Sequence, residues 1–198
     1  EEMTSQLLQM RPVQYVIGSA WFYNMPFAVN ESVLIPRPET EELVQWILDE
    51  KDSRKNATLL DIGTGSGCIP IAMKKNWPAA EVHALDVSNE ALETAQANAK
   101  ALDADVHFQK TNILDEKEWP PQQFDIIVSN PPYIPVQESK MLDKNVTDWE
   151  PHLALFVPNN DPLLFYRKIA GFAMKHLSPG GVLYFECHQQ FASQVVAM

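Results

Sequence analysis

The chain has 198 residues, 45% of them hydrophobic, enough to bury one ordinary core with room for an appendage. It carries 26 acids against 15 bases, and the net charge of −11 repels phosphate backbones over most of the surface, which argues against a tight nucleic-acid binder. No run approaches the roughly 20 unbroken apolar residues of a membrane helix, and the N-terminus lacks a secretory pattern, so the expected address is the cytoplasm.

In chain order, Glu1 to Met10 is short and mixed, and could be the tail of a helix from something upstream. "PVQYVIGSAWFYNMPFAVNESVLIP" follows, rich in aromatic and β-branched residues with turn chemistry at Asn24 and Pro26, and predicts a hairpin-like cap. "RPETEELVQWILDEK" places Leu43, Val44, Ile47 and Leu48 at helical spacing after Thr40 and two flanking acids. From Ala57 apolar strands alternate with helices: strands "ATLLDIG", "EVHALDV", "DVHFQKTNI", "FDIIVSN" and "GGVLYFECH", and helices "GCIPIAMKKN", "SNEALETAQANAKAL" capped by Ser88, and "DPLLFYRKIAGFAMKHL". The expected fold is α/β: an open, mostly parallel, doubly wound sheet of Rossmann-like type. Residues 1–38 read as linker and β-hairpin cap, and 39–198 as the main domain. Val136 to Asn160 is long and polar enough to be a loop over the end of the sheet. Cys68 and Cys187 sit in apolar stretches and are expected to be reduced and buried; no CxxC pair offers zinc ligands, and no metal is expected.

Ligands of open parallel sheets bind beyond the carboxyl ends of the strands, and several chemistry-bearing motifs fall there. "LLDIGTGSGC" is a strand-to-helix turn in which Asp61, Gly63, Thr64, Gly65, Ser66 and Gly67 let a ligand approach the backbone and let the helix N-terminus face an anion. Its spacing excludes the G-x-G-x-x-G dinucleotide turn, because the last glycine would fall on Cys68 or Pro70, and the P-loop, which needs Lys followed by Ser or Thr. Asp86, followed by Val87 at the next strand tip, can accept hydrogen bonds from ribose hydroxyls; the alternative is a helix-start acid held by the dipole. "KTNILD" sets Asn112 and Ile113 where a side chain would flank an adenine ring.

"SNPPYIP" ends the fourth strand on Asn130, Pro131, Pro132 and Tyr133. Two prolines remove two donors and stiffen the segment, leaving its carbonyls and the Asn130 side-chain oxygen as acceptors. Such acceptors suit an NH2 group on a planar conjugated carbon. Holding both N–H bonds directs its developing lone pair at an electrophile, and Tyr133 would stack on the planar face.

In these motifs, together with "PVQYVIGSAWFYNMPFAV", "VLIPRPETEELV" and "EPHLALF", the chain resembles the PrmC/HemK family of class I S-adenosylmethionine-dependent methyltransferases, over nearly its whole length. The resemblance implies release factor glutamine methyltransferase activity: methyl transfer from S-adenosyl-L-methionine to the glutamine amide in the Gly-Gly-Gln loop of peptide-chain release factors, with S-adenosyl-L-homocysteine as product. It implies that Asp61 to Gly67, Asp86, Val87, Asn112, Ile113 and Asn130 meet the cofactor. Asn130 to Tyr133 would hold the glutamine, Arg37 and Thr40 would order the pocket wall, and Phe27 would line the substrate entrance. The alternative is an RNA or DNA amino-methyltransferase acting on an adenine or cytosine exocyclic amine, against which the acidity counts. A monomer is expected. His188 stands where the family commonly has Gly, and "VPNNDPL" lacks the family's usual glycines. The family also carries an N-terminal helical domain and two further C-terminal strands; the chain is expected to be a fragment whose fifth strand is an edge.

Overall fold

The computed structural model describes residues 2–50 and 56–198. Two short helices, α1 (Glu2–Leu8) and α2 (Val13–Ile17), lead into an antiparallel hairpin of β1 (Ser19–Phe22) and β2 (Met25–Ala28). Tyr23 and Asn24 close it at φ 49° and 60°, the doubly left-handed turn that matches strand twist. Pro26 falls within β2, opposite Trp21 on an edge strand, where its missing N–H costs little.

Helix α3 (Pro38–Asp49) starts on a proline and buries Leu43, Val44, Ile47 and Leu48, the predicted stripe. Then come β3 (Thr58–Ile62), α4 (Cys68–Asn76), β4 (Glu81–Asp86), α5 (Asn89–Ala101), β5 (His107–Lys110) and β6 (Phe124–Ser129). The Ser88 hydroxyl accepts from the Ala91 N–H at 3.1 Å, the expected cap of α5. Residues 136–160 do cross the end of the sheet, but carry structure of their own. The two-residue strands β7 (Ile134–Pro135) and β8 (Phe156–Val157) pair in parallel, with a 3-10 turn at Val136–Met141, α6 (Lys144–Thr147) and α7 (His152–Leu155) between them. Finally α8 (Leu164–His176) runs into β9 (Leu177–Phe185), and α9 (Ala192–Val196) follows.

The five long strands form one parallel sheet in the order β5-β4-β3-β6-β9, so the order reverses between β3 and β6. One face packs on α3, α4 and the hairpin, where Phe22 and Phe27 share a cluster with Val44, Ile71, Met73 and Ile126. The other face packs on α8 through Leu60, Ile127, Ile169 and Phe172. Because the hairpin's two phenylalanines share the main core, the cap is built onto the sheet domain. Strand β9 differs from expectation: it begins before Pro179-Gly180-Gly181 and continues through it, with a register irregularity opposite Phe124 and Ile126. Gly180, at φ 77°, absorbs the bulge. Among the described residues β9 pairs only with β6 and is an edge strand. No helix among them is long and apolar enough to cross a membrane. Cys68 and Cys187 are free thiols, Cys68 buried and Cys187 partly so.

Candidate active site

At the point where strand order reverses, a cavity of about 340 Å³ opens beyond the carboxyl ends of β3, β4 and β6, a size ordinary for small-molecule sites. Gly63, Gly65, Asp86, Val87, Asn112, Ile113, Asn130, Pro131 and Pro132 all line it. Sequence separations of up to 69 residues thus converge on one hollow.

The glycine turn is built by left-handed backbone, with φ of 78°, 53° and 79° at Gly63, Gly65 and Gly67. A side chain on Gly63 or Gly65 would meet open space, whereas a Cβ on Gly67 would lie 3.0 Å from the Ala95 Cβ and 3.1 Å from the Ile71 Cδ1. Gly67 is therefore a packing glycine against α5. The turn does not present the bare anion cradle that its composition predicts. Gly63 and Thr64 donate to the Leu85 carbonyl at 2.9 and 3.0 Å, Gly65 donates to Asp86 Oδ2 at 2.9 Å, and Gly67 donates to the Thr64 carbonyl. Asp86 also accepts from the Ser88 N–H at 3.0 Å, so its carboxylate ties the glycine turn to the start of α5 while bordering the cavity. Burial still raises its pKa.

Asp61 lies beneath this turn with no exposure, and neither carboxylate oxygen meets the geometry of a hydrogen bond. Burial pushes its pKa up to about 7, against a counter-pull from the nearby Thr64 hydroxyl. Asp86 and Glu90 line the cavity, and among the described residues no Lys, Arg or His does. Among the described residues the site thus carries carboxylates and none of the cations that a phosphate would need.

Opposite, the acceptor side is shaped by a partly buried polar network. Asn130 Nδ2 donates to Thr40 Oγ1 at 3.3 Å, and Thr40 Oγ1 donates to Glu186 Oε2 at 2.6 Å. The Glu186 N–H donates to the Ser129 carbonyl at 3.1 Å, and the Tyr166 hydroxyl donates to the Glu186 carbonyl at 3.4 Å. Burial raises the Glu186 pKa, while hydrogen bonds from Thr40, Asn130 and Tyr133 pull it back. Among the described residues, the Asn130 and Pro131 carbonyls accept no hydrogen bond. Arg37 pairs with the buried Glu150, whose other oxygen accepts from the Ile35 N–H at 3.2 Å. This pins the wall before α3 to the segment carrying Pro151, Leu153 and Ala154, which line the cavity.

Two expected placements are corrected. Phe27 does not stand at an entrance: it is 0% exposed and packs edge-to-face on Phe22, because the hairpin folds that face into the sheet core. Tyr133 does not line the cavity. Its ring packs against His188 and its hydroxyl neighbours Glu186, whose charge adds to burial in pushing the phenol up to about 12. Ser66 and Thr64 are buried in the turn, and Asn112 spends its side-chain oxygen on the Leu114 N–H at 3.0 Å.

Sequence reading missed three contributors. Ser32, Val33 and Leu34 form a cavity wall, in an irregular stretch without periodicity. Asn98 accepts from the Ala28 N–H and donates to the Ala28 and Ser66 carbonyls at 2.7–3.0 Å, joining the cap to the glycine turn; a polar residue on the alanine-rich buried face of α5 was its signal. Glu186, at a strand end, was the third. At the far end of the sheet Glu81, His83 and His107 bring potential ligand atoms within 4.8 Å of one another, remote from this cavity.

The methyltransferase small domain family matches residues 40–148. The release factor glutamine methyltransferase of Flavobacterium psychrophilum is 52% identical over all of this chain and 70% of its own length, and that of Bacteroides thetaiotaomicron is 48% identical with the same coverage. Among solved structures, a methyltransferase from Pyrococcus furiosus aligns with 98% of this chain and 83% of its own (TM-score 0.61, 20% identity). A ribosomal protein L11 methylase from Lactobacillus delbrueckii aligns with 82% of this chain and 68% of its own (TM-score 0.54, 25% identity).

Proposed function

The chain belongs to the release factor glutamine methyltransferase family, and on that footing we propose that it methylates the side-chain amide nitrogen of the glutamine in the Gly-Gly-Gln loop of peptide-chain release factors, with S-adenosyl-L-methionine as donor. One observation carries the reading: a single cavity has an acidic glycine turn on one wall and the acceptors of Asn130 and Pro131 on the other.

The residues present fit the cofactor. Asp86 and Glu90 bring negative charge to the cavity, Asp61 lies beneath the glycine turn and outside the lining with two buried oxygens that lack a hydrogen-bond partner, and among the described residues the lining holds no base that would repel a cation. Gly63 and Gly65 leave open space above the backbone. Asp61 and the glycine turn would hold the amino acid end, Asp86 the ribose hydroxyls, and Val87 and Ile113 the adenine faces. When bound, the cofactor supplies a methyl group on a positively charged sulfur.

The chain's own part is to bind and orient. Asn130 Oδ1 and the Pro131 carbonyl accept the two N–H bonds of the glutamine amide, which fixes the nitrogen and turns its lone pair toward the donor side. The Pro131-Pro132 turn and the wall of Pro151, Leu153 and Ala154, which the Arg37–Glu150 pair holds down, border the acceptor side. No base is needed beforehand: the N–CH3 bond would form as the S–CH3 bond breaks, and the nitrogen, made acidic by the positive charge it takes up, would release a proton to water through the open side of the cavity.

The test is incubation of the full-length protein with methyl-labelled S-adenosylmethionine and either a release factor or deproteinised RNA. Label on the release factor that vanishes when the Gly-Gly-Gln glutamine is replaced is expected; label on RNA alone would overturn the reading.

A further inference from the structure

An acceptor site built from an asparagine is only as good as the orientation of its amide, because the same group turned by 180° offers two donors instead. The bonds around Asn130 decide that orientation. Thr40 has a single hydroxyl proton, and it is spent on Glu186 Oε2 at 2.6 Å. Toward any third group Thr40 Oγ1 can then only accept, so the group facing it at 3.3 Å has to be the amide nitrogen of Asn130. Glu186 draws the same NH2 group, together with the Tyr133 hydroxyl. Three donors converging on one carboxylate favour its acceptor-only anion and oppose the burial that raises its pKa. Its backbone is fixed independently by the Ser129 carbonyl, one residue before Asn130, and by Tyr166 from α8.

We propose that Thr40 and Glu186 form a directional relay that locks the Asn130 amide with its nitrogen inward and Oδ1 toward the cavity, which makes Glu186 a positioning residue for recognition of the substrate amide. This deepens the proposed function and rests on it. Neither Thr40 nor Glu186 lines the cavity; both act through Asn130. The relay gathers α3, the end of β6 and the end of β9 on one side chain, which explains a half-buried acid at a strand tip that does not line the cavity.

The relay makes a chemical prediction that a merely structural carboxyl does not. Glu186→Gln preserves shape but adds a donor: its NH2 can point at Thr40, freeing the Thr40 proton to donate to Asn130 and stabilising the flipped amide. In the full-length protein, Glu186→Gln should lower kcat toward a release factor by roughly 10- to 100-fold, with the affinity for S-adenosylhomocysteine and the melting temperature near wild type. Thr40→Val, isosteric without the hydroxyl, should give a similar loss, and Thr40→Ser should recover most of it. Independently of turnover, the Asn130 side-chain amide protons, assigned by NMR, should be protected from exchange in the wild type and lose protection in Glu186→Gln and Thr40→Val. Wild-type kcat and unchanged protection in Glu186→Gln would overturn the relay, as would equal losses in Thr40→Ser and Thr40→Val. Failure of the wild-type enzyme to label the release factor glutamine would instead remove the underlying function, so the two failures are distinguishable.

Discussion

Strands β3 and β6 lie side by side in the sheet and end in opposite kinds of turn. After β3 the chain uses three glycines with positive φ, and the N–H groups of Gly63, Thr64, Gly65 and Gly67 are taken up by Leu85, Asp86 and Thr64. After β6 it uses two prolines, which have no donors, and the carbonyls of Asn130 and Pro131 are left unpaired among the described residues. Both turns reduce the N–H donors facing the cavity, one by pairing Gly63, Thr64 and Gly65 and one by placing prolines without N–H. What remains is a mainly apolar hollow edged by the Asp86 and Glu90 carboxylates and by unpaired carbonyls, which the proposed function matches to a cationic sulfur and to amide hydrogens. The glycine composition alone points to an anion site; the register of β3 beside β4 pairs the Gly63 and Thr64 donors that such a site would use.

The comparison can be broken first at its acceptor end. Asn130→Ala should cut kcat by about 10²- to 10³-fold, the scale seen when one preorganised polar group is lost, while calorimetric affinity for the cofactor stays near wild type. Parallel loss of both would mean that Asn130 belongs to the donor half.

At the glycine end, Gly67→Ala should destabilise the fold by about 3 kcal/mol, since its methyl would press on Ala95 and Ile71 from a backbone conformation that disfavours side chains. Chemical denaturation measures this; a change under about 1 kcal/mol would show that α5 gives way easily.

A smaller effect separates the two kinds of acid. Asp61 titrates at about 7 when folded and near 4 when unfolded. A raised carboxyl pKa favours the folded state while protonated, so its contribution is present at low pH and is lost as pH rises from about 4 through about 7. Asp61→Asn should flatten this decline in melting temperature and weaken cofactor binding roughly tenfold. In the wild type, cofactor binding near pH 7 should release a proton, read by calorimetry in buffers of different ionisation enthalpy; Asp61→Asn should release none.

Much of this was legible from residue order. The alternation of strands and helices, the glycine turn, Asp86, and the Asn-Pro-Pro stop are local signals, and the cavity gathers them. What escaped depends on distant partners. Thr40 meets Glu186 across 146 positions, Arg37 meets Glu150 across 113, and Ala28 meets Asn98 across 70. Nothing local marks those pairs. Phe27 was misplaced for a related reason: an aromatic in a two-residue-period strand reads the same whether its face turns to a ligand or to a core, and only the docking of the hairpin on α3 and α4 decides it.

The most direct test is a crystal structure of the full-length protein with S-adenosylhomocysteine and a Gly-Gly-Gln peptide. The account predicts the adenine between Val87 and Ile113, the ribose on Asp86, and the glutamine nitrogen about 3 Å from Asn130 Oδ1 and the Pro131 carbonyl. A glutamine nitrogen held by other groups, or an Asn130 oxygen turned toward Thr40, would contradict it.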